Sequence, residues 1–217
     1  MRVLTRALAT LGLAVLASAP SLSAQSQSVG SNRFYIGAGG GIMNFGTYNQ
    51  TRGAIPMANA NALITAKRAA LLLGVDIGLG SDEHASMADP IDGATRVVTF
   101  DNINRYYFML MAYPLKSHVQ PFVGVGWGIQ TLSNLQVQGS FIDADAEYAN
   151  QQQAENLGST GYMQFVGGVE VRAGIVNVFG SVSAATGENG EDLIRGMVYT
   201  LQGGVRLSLG KARDDID

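Results

Sequence analysis

The sequence predicts an all-β fold: an eight-stranded antiparallel up-and-down transmembrane β-barrel. Three observations lead there. Segments of about ten residues alternate between apolar and small or polar residues, the period of a strand with two unlike faces. The non-apolar face is largely glycine with isolated charges, where a strand facing water would carry Lys, Glu, Thr and Ser. The chain also bears the marks of export, yet beyond its N-terminus no apolar stretch reaches the roughly 18 residues a membrane helix needs. Of 217 residues, 47% are hydrophobic and only 14% charged, against about 25% charged in ordinary globular domains.

The N-terminus opens on Arg2 and Arg6, continues through an apolar run at 7–17 and reaches Leu22-Ser23-Ala24 before Gln25. Basic start, short apolar run and small-residue cleavage site describe a secretory signal peptide at 1–24. As an anchor the run is too short, and Ser18, Pro20 and Ser21 interrupt it. Residues 25–32 read as a polar linker, 33–210 as the barrel and 211–217 as a charged periplasmic tail. Taking the two positive charges of Arg2 and Arg6 from the formal charge of −3 leaves −5, which gives no support for nucleic-acid binding. The absence of cysteine removes disulfides, thiolate metal sites and a lipid anchor on Cys.

The elements follow in order. Residues 33–46 place Phe34, Ile36, Ala38 and Ile42 on one face, and 47–66 read as a polar Gly/Asn/Ala-rich loop. Residues 68–80 place Leu71, Leu73, Val75, Ile77 and Leu79 together, with Arg68, Gly74 and Asp76 opposite. Residues 81–93 read as a turn-rich break. Residues 94–115 read as two short strands around Asp101-Asn102-Ile103-Asn104, with one long strand as the alternative. Residues 119–132 set Val123, Val125, Trp127 and Ile129 against Gly124, Gly126, Gly128 and Gln130. The polar segment 138–160 suits a short helix or a bent strand extension equally. Then come 161–172, with Met163, Phe165, Gly167, Val169 and Val171 on one face, a tight turn near Ala173-Gly174, a strand at 175–185, a loop at 186–196 and a last strand at 197–210. Eight strands of about this length suit a tilted bilayer crossing.

Small residues and a few opposed charges fit the narrow interior of an eight-stranded barrel. The lipid-facing set is Leu71, Leu73, Val125, Trp127, Phe165, Val169, Leu201 and Leu207. Aromatics near strand ends, namely Phe34, Phe45, Tyr48, Tyr106, Tyr113, Phe122, Tyr162 and Tyr199, suit girdles at the membrane interfaces. A soluble exported ligand-binding barrel, apolar face inward, is the alternative.

The stretches "RFYIGAGGGI", "YPLKSHVQPFVGVGWG" and "QGGVRLSLG" resemble the outer-membrane β-barrel family of OmpA/OmpX type, over roughly 33–209. The resemblance implies a bacterial outer-membrane location and, as partners, outer-membrane lipid, periplasmic chaperones and the barrel-assembly machinery. Gln202, Gly204, Leu207 and Leu209 resemble its assembly signal. The chain departs from the family in the tail after its last strand, and no peptidoglycan-binding module is expected.

Buried charges should pair, so Arg68, Asp76, Glu170, Arg172 and Arg206 are expected to form a salt-bridge network in the lumen; a narrow path for water or small ions is the alternative. His84, Ser86 and Glu83 raise the idea of a lipid-modifying barrel enzyme, since an activated Ser needs a base and an orienter, but they fall in a turn-like stretch. Asp143, Asp145 and Glu147 start like a calcium loop but hold Tyr148 and Ala154 where an EF-hand needs Gly and Glu. No metal site, cofactor or catalytic residue is expected. The expected role is structural, or an interaction with an unknown surface ligand, carried by the loops 47–66, 138–160 and 186–196.

Overall fold

The structure, a computed structural model, describes residues 33–48, 53–115, 118–186 and 193–209. Its elements are β1 (Arg33–Thr47), β2 (Gly53–Ala66), β3 (Ala69–Ala88), β4 (Thr95–Ala112), β5 (Val119–Leu132), β6 (Gln136–Gln138), α1 (Ala144–Leu157), β7 (Ser159–Ala173), β8 (Val176–Thr186) and β9 (Ile194–Ser208). The eight long strands run β3-β2-β1-β9-β8-β7-β5-β4, and pairing of β3 with β4 closes the ring. All pairings are antiparallel. The three-residue β6 pairs with the upper edge of β4 (Val97↔Gln138 to Thr99↔Gln136).

One rim carries the short turns at 67–68 and 174–175 and the facing ends of β4 and β5. Lys67 (φ 55°) and Gly174 (φ 64°) supply the left-handed conformations that tight hairpins need. The opposite rim carries the connections 89–94 and 133–158, the latter with β6 and α1, and the facing ends of β1, β2, β8 and β9. Alternation runs through the long strands and is interrupted at the β3–β4 bulge. Ile36, Ile42, Leu73, Ile77, Val123, Trp127, Leu201 and Leu207 are exposed outward, whereas Tyr35, Met43, Leu72, Asp76, Phe122 and Thr200 are buried in the bore. Among the described residues the outward positions of β1, β2, β5, β7 and β8, and those of β3 and β4 below the bulge at Asp82, carry no charged side chain.

Three expectations about the elements are corrected. The region 47–66 is not a loop; β2 occupies Gly53–Ala66. Ala54, Pro56, Ala58, Ala60 and Ala62 face out while Ile55, Met57, Asn59, Asn61 and Leu63 face in. Ala and Asn are weak strand formers, but ladders on both sides hold them, from Arg33↔Thr65 to Phe45↔Gly53 with β1 and from Ala66↔Ala69 to Met57↔Gly78 with β3. The region 94–115 is the single long strand, not two. The break expected at 81–93 is a bulge near Asp82 (φ 54°), after which β3 continues to Ala88. One strand gained and one lost leave the count at eight. The polar segment 138–160 forms α1, and β9 starts at Ile194, inside the expected loop 186–196. The signal peptide, the linker and the tail lie outside the described residues.

The bore is also fuller than a lining of small residues and ions. Some inward glycines make room for a bulky neighbour. A Cβ on Gly74 would stand 2.3 Å from the Tyr107 ring, one on Gly168 2.5 Å from Phe122, and one on Gly37 2.6 Å from Arg206. Four of the aromatics expected in the girdles, Phe45, Tyr113, Phe122 and Tyr162, are buried inside, while Tyr48, Tyr106 and Tyr199 remain exposed.

Candidate functional site

Register brings the polar residues of six strands to one zone of the bore. Asn59 stands opposite Asp76, and Asp76 opposite Arg105; Asn177 stands opposite Arg206. Asp76, Arg105, Glu170 and Arg206 are all buried. The Glu170 carboxylate accepts from Arg206 Nη1 (2.6 Å), Asn177 Nδ2 (2.8 Å) and Tyr113 Oη (3.4 Å). Arg172 Nε lies 3.5 Å from its other oxygen, with the Arg172 side chain 28% exposed. Arg206 Nε donates to Asn61 Oδ1 (2.9 Å), Asn61 Nδ2 to Asn59 Oδ1 (2.5 Å), and Asn59 Nδ2 to Asp76 Oδ1 (2.6 Å), which also accepts from Tyr107 Oη (3.2 Å). Arg105 Nη2 donates to Gln164 Oε1 (3.0 Å), and its guanidinium stands 4.3 Å over the Tyr162 ring. Hydrogen bonds and two ion pairs, both on Glu170, thus link Arg172 to Tyr107 across the bore. Buried charges persist where partners of this kind satisfy them.

Apolar layers bound this zone on both sides. Toward the short-turn rim the inward residues Tyr35, Leu63, Leu72 and Met109 stand in one row of paired positions. Toward the other rim Met43, Phe45, Ile55, Phe100 and Ile103 fill the bore. A cavity of about 10 Å³, lined by Gln130, Tyr162, Ile194 and Val198 among others, is about the size of one water.

Of the five residues expected in the network, Glu170, Arg172 and Arg206 meet directly. Asp76 joins them through Asn59 and Asn61. Arg68 does not belong: it is exposed in the β2–β3 turn. That turn carries it to the rim, where no partner pulls it inward. Arg105 was not among the expected residues, because dividing 94–115 hid the face it shares with Tyr107, Met109 and Met111. That alternation was its one sequence signal. Of the lipid-facing set, Leu73, Trp127, Phe165, Val169, Leu201 and Leu207 are exposed outward, and Leu71 and Val125 lie half-buried on the same face. Of the four residues resembling the assembly signal, Gln202 is buried in the bore and Gly204 abuts Phe179 and Ala38, while Leu207 and Leu209 point out.

At the long-connection rim Asp143 caps α1, its carboxylate accepting from Ala146 N (2.8 Å), and Asp145 and Glu147 sit in the first turn. Acidic residues there complement the helix dipole, which accounts for the run that starts like a calcium loop. The buried face of α1 is Ala146, Asn150 and Ala154, and Gln151 Nε2 donates to Leu135 O (2.9 Å). Asp89 at the end of β3 accepts from Ile91 N (2.8 Å) and Arg96 Nε (2.8 Å). The Ile91 N–H first, then the Arg96 guanidinium and the Asn150 amide of α1, hold its pKa down at about 2. His84 is exposed while Ser86 on the same strand is buried, so the two face different surroundings.

No protein-family model and no curated protein sequence matches the chain. Solved structures do. Neisserial surface protein A (NspA) superposes with a TM-score of 0.54 at 8% identity, over 80% of this chain and 96% of that one. The fold is that of the eight-stranded outer-membrane β-barrels. The outer membrane protein OprG of Pseudomonas aeruginosa matches 84% of this chain and 99% of its own (TM-score 0.45, 11% identity). The attachment invasion locus protein Ail of Yersinia pestis, solved with the heparin analogue sucrose octasulfate, matches 83% of this chain and 100% of its own (TM-score 0.38, 9% identity). The largely uncharged outer face and the full closure of the ladder agree with that fold: lipid offers no partner to a free backbone N–H or C=O.

Proposed function

We propose that this barrel sits in the bacterial outer membrane as a non-conducting, non-catalytic protein whose work is done at the long-connection rim, facing outward from the cell, where it meets a surface ligand. The observation that carries this reading is the filled bore. Arg105, Tyr35, Phe45, Phe100, Met43 and Leu63 are among its largest fully buried side chains, and they leave no wide lumen for a solute. What the protein offers its surroundings is then the rim, with α1 and its exposed Ile142 (82%) and Tyr148 (69%). Outer-membrane lipid, periplasmic chaperones and the assembly machinery serve its insertion.

Planar-bilayer recording tests the closed bore: the purified barrel gives no steady single-channel current. A steady current that changes when Arg172 or Arg206 is replaced supports the narrow-pore reading instead. Replacing 139–158 with a short turn tests the rim. The shortened barrel still inserts but loses the surface binding of cells displaying the intact chain.

A further inference from the structure

The polar zone of the bore is not fully satisfied by protein atoms. Around Arg105, four buried side chains carry atoms with no protein hydrogen-bond partner: Arg105 Nε and Nη1, Asp76 Oδ2, Gln164 Nε2 and Tyr162 Oη. These atoms belong to one place. Asp76 pairs with Arg105 across the β3–β4 ladder, Gln164 accepts from Arg105 Nη2, and Tyr162 lies under the guanidinium. Although Asp76 and Arg105 face each other, they form no ion pair within 4 Å among the described residues, because the other Asp76 oxygen is held by Asn59 and Tyr107.

From this arrangement we infer that the barrel contains a built internal hydration site, in which bound water bridges Arg105 to Asp76 and to Tyr162 and Gln164. The mixture of orphan groups selects the ligand. Arg105 and Gln164 present donors; arginine has no acceptor, so the Gln164 oxygen must be the atom facing it and the amide nitrogen is the one left over. Asp76 presents an acceptor, and Tyr162 either. A water satisfies donors and acceptors together, whereas a halide satisfies only the donors and would sit beside a carboxylate. The cavity against Tyr162 has room for about one such molecule. The apolar layers above and below isolate the site from both rims, so its waters exchange slowly and do not form a path.

The test is water-to-protein cross-relaxation by NMR on the intact barrel in lipid nanodiscs, with Arg and Gln side chains nitrogen-labelled. Arg105 Nε–H and the Gln164 amide protons are expected to show cross-peaks to long-lived water, and an Arg105→Met variant, if it folds, loses the first and weakens the second. A wild-type barrel with no water cross-peak at either group overturns the inference, and that readout needs no variant. Crystals soaked in bromide provide a second measurement. An anomalous peak beside Arg105 assigns the site to an anion and also overturns the inference; density for water at hydrogen-bond distance from Arg105 and Asp76 supports it.

Discussion

Replacing Glu170 with alanine removes the carboxylate that Arg206 pairs with. Arg206 is buried and donates to Glu170 Oε2 at 2.6 Å and to Asn61 Oδ1 at 2.9 Å; after the change it keeps the neutral amide and the Phe179 ring, 4.0 Å from its guanidinium, but no carboxylate hydrogen bond. Asn177 Nδ2 and Tyr113 Oη lose an acceptor as well. Removing one partner of a buried pair costs about 3–5 kcal/mol, because the other charge is left uncompensated. The expected loss for Glu170→Ala is therefore about 3–5 kcal/mol. Arg172→Ala should cost at most about 1 kcal/mol, since that side chain is 28% exposed and its ion pair is long at 3.5 Å. Equilibrium urea unfolding in phospholipid vesicles measures both, with Trp127, the chain's single tryptophan, as the fluorescent reporter. The double variant Glu170→Ala/Arg206→Met should be less unstable than Glu170→Ala alone, because no orphaned charge remains. A cost for Glu170→Ala below about 1 kcal/mol, or a double variant as unstable as the two single losses summed, refutes the reasoning.

Gly74→Ala should destabilise the barrel by about 1–3 kcal/mol through overpacking, since the new Cβ would meet the Tyr107 ring at 2.3 Å; trimming Tyr107 to Leu in the same chain should recover part of the loss in the same assay. Leu201→Arg, at an outward position 59% exposed to the lipid side, should cost about 2–4 kcal/mol near the bilayer midplane, and cells should accumulate less heat-modifiable barrel on unheated gels. Asp89 has a folded-state pKa lowered to about 2, below the ordinary value of 3.8. Its contribution to the rim is thus fully present above that ordinary value and is lost as pH falls toward 2. Hydrogen exchange in α1 should accelerate over that window, and Asp89→Asn should flatten the pH response.

The strands that were legible in the sequence have a bulky outward face. β5, β7, β8 and β9 alternate Val, Leu, Phe and Trp against glycine and polar residues, and their boundaries were read to within a few residues. β2 was not legible because its outward face is almost all alanine and its inward face carries Asn59 and Asn61. Neither pattern differs from a polar loop until the ladders with β1 and β3 are known. The middle of β4 was obscured for a related reason: near the bulge Asp101, Asn102 and Asn104 all lie partly open, which interrupts the alternation. The network was half legible. Isolated charges within clear strands pointed to Asp76, Glu170, Arg172 and Arg206, but the Asn59–Asn61 bridge and Arg105 lay in the two misread strands. Arg68 sits one residue outside β3, where face no longer predicts environment. The inward aromatics escaped because position along a strand fixes depth, while parity along it fixes the side.

The joint between β1 and β9 sets the first strand of the barrel against the last, with Gly39 beside Gly204 and Gly40 beside Gly203. No ring can shut until the whole polypeptide has been delivered, so closure is a late and long-range event. When it comes, the middle of that seam is drawn together by main-chain bonds alone. A β-carbon at 39 or 204 would collide with the facing backbone, at 2.5 and 2.3 Å respectively. The last stitch of the cylinder is thereby a zipper without teeth: close-fitting, quick to register once its ends meet, and the stretch where the wall has least side-chain grip to resist parting again.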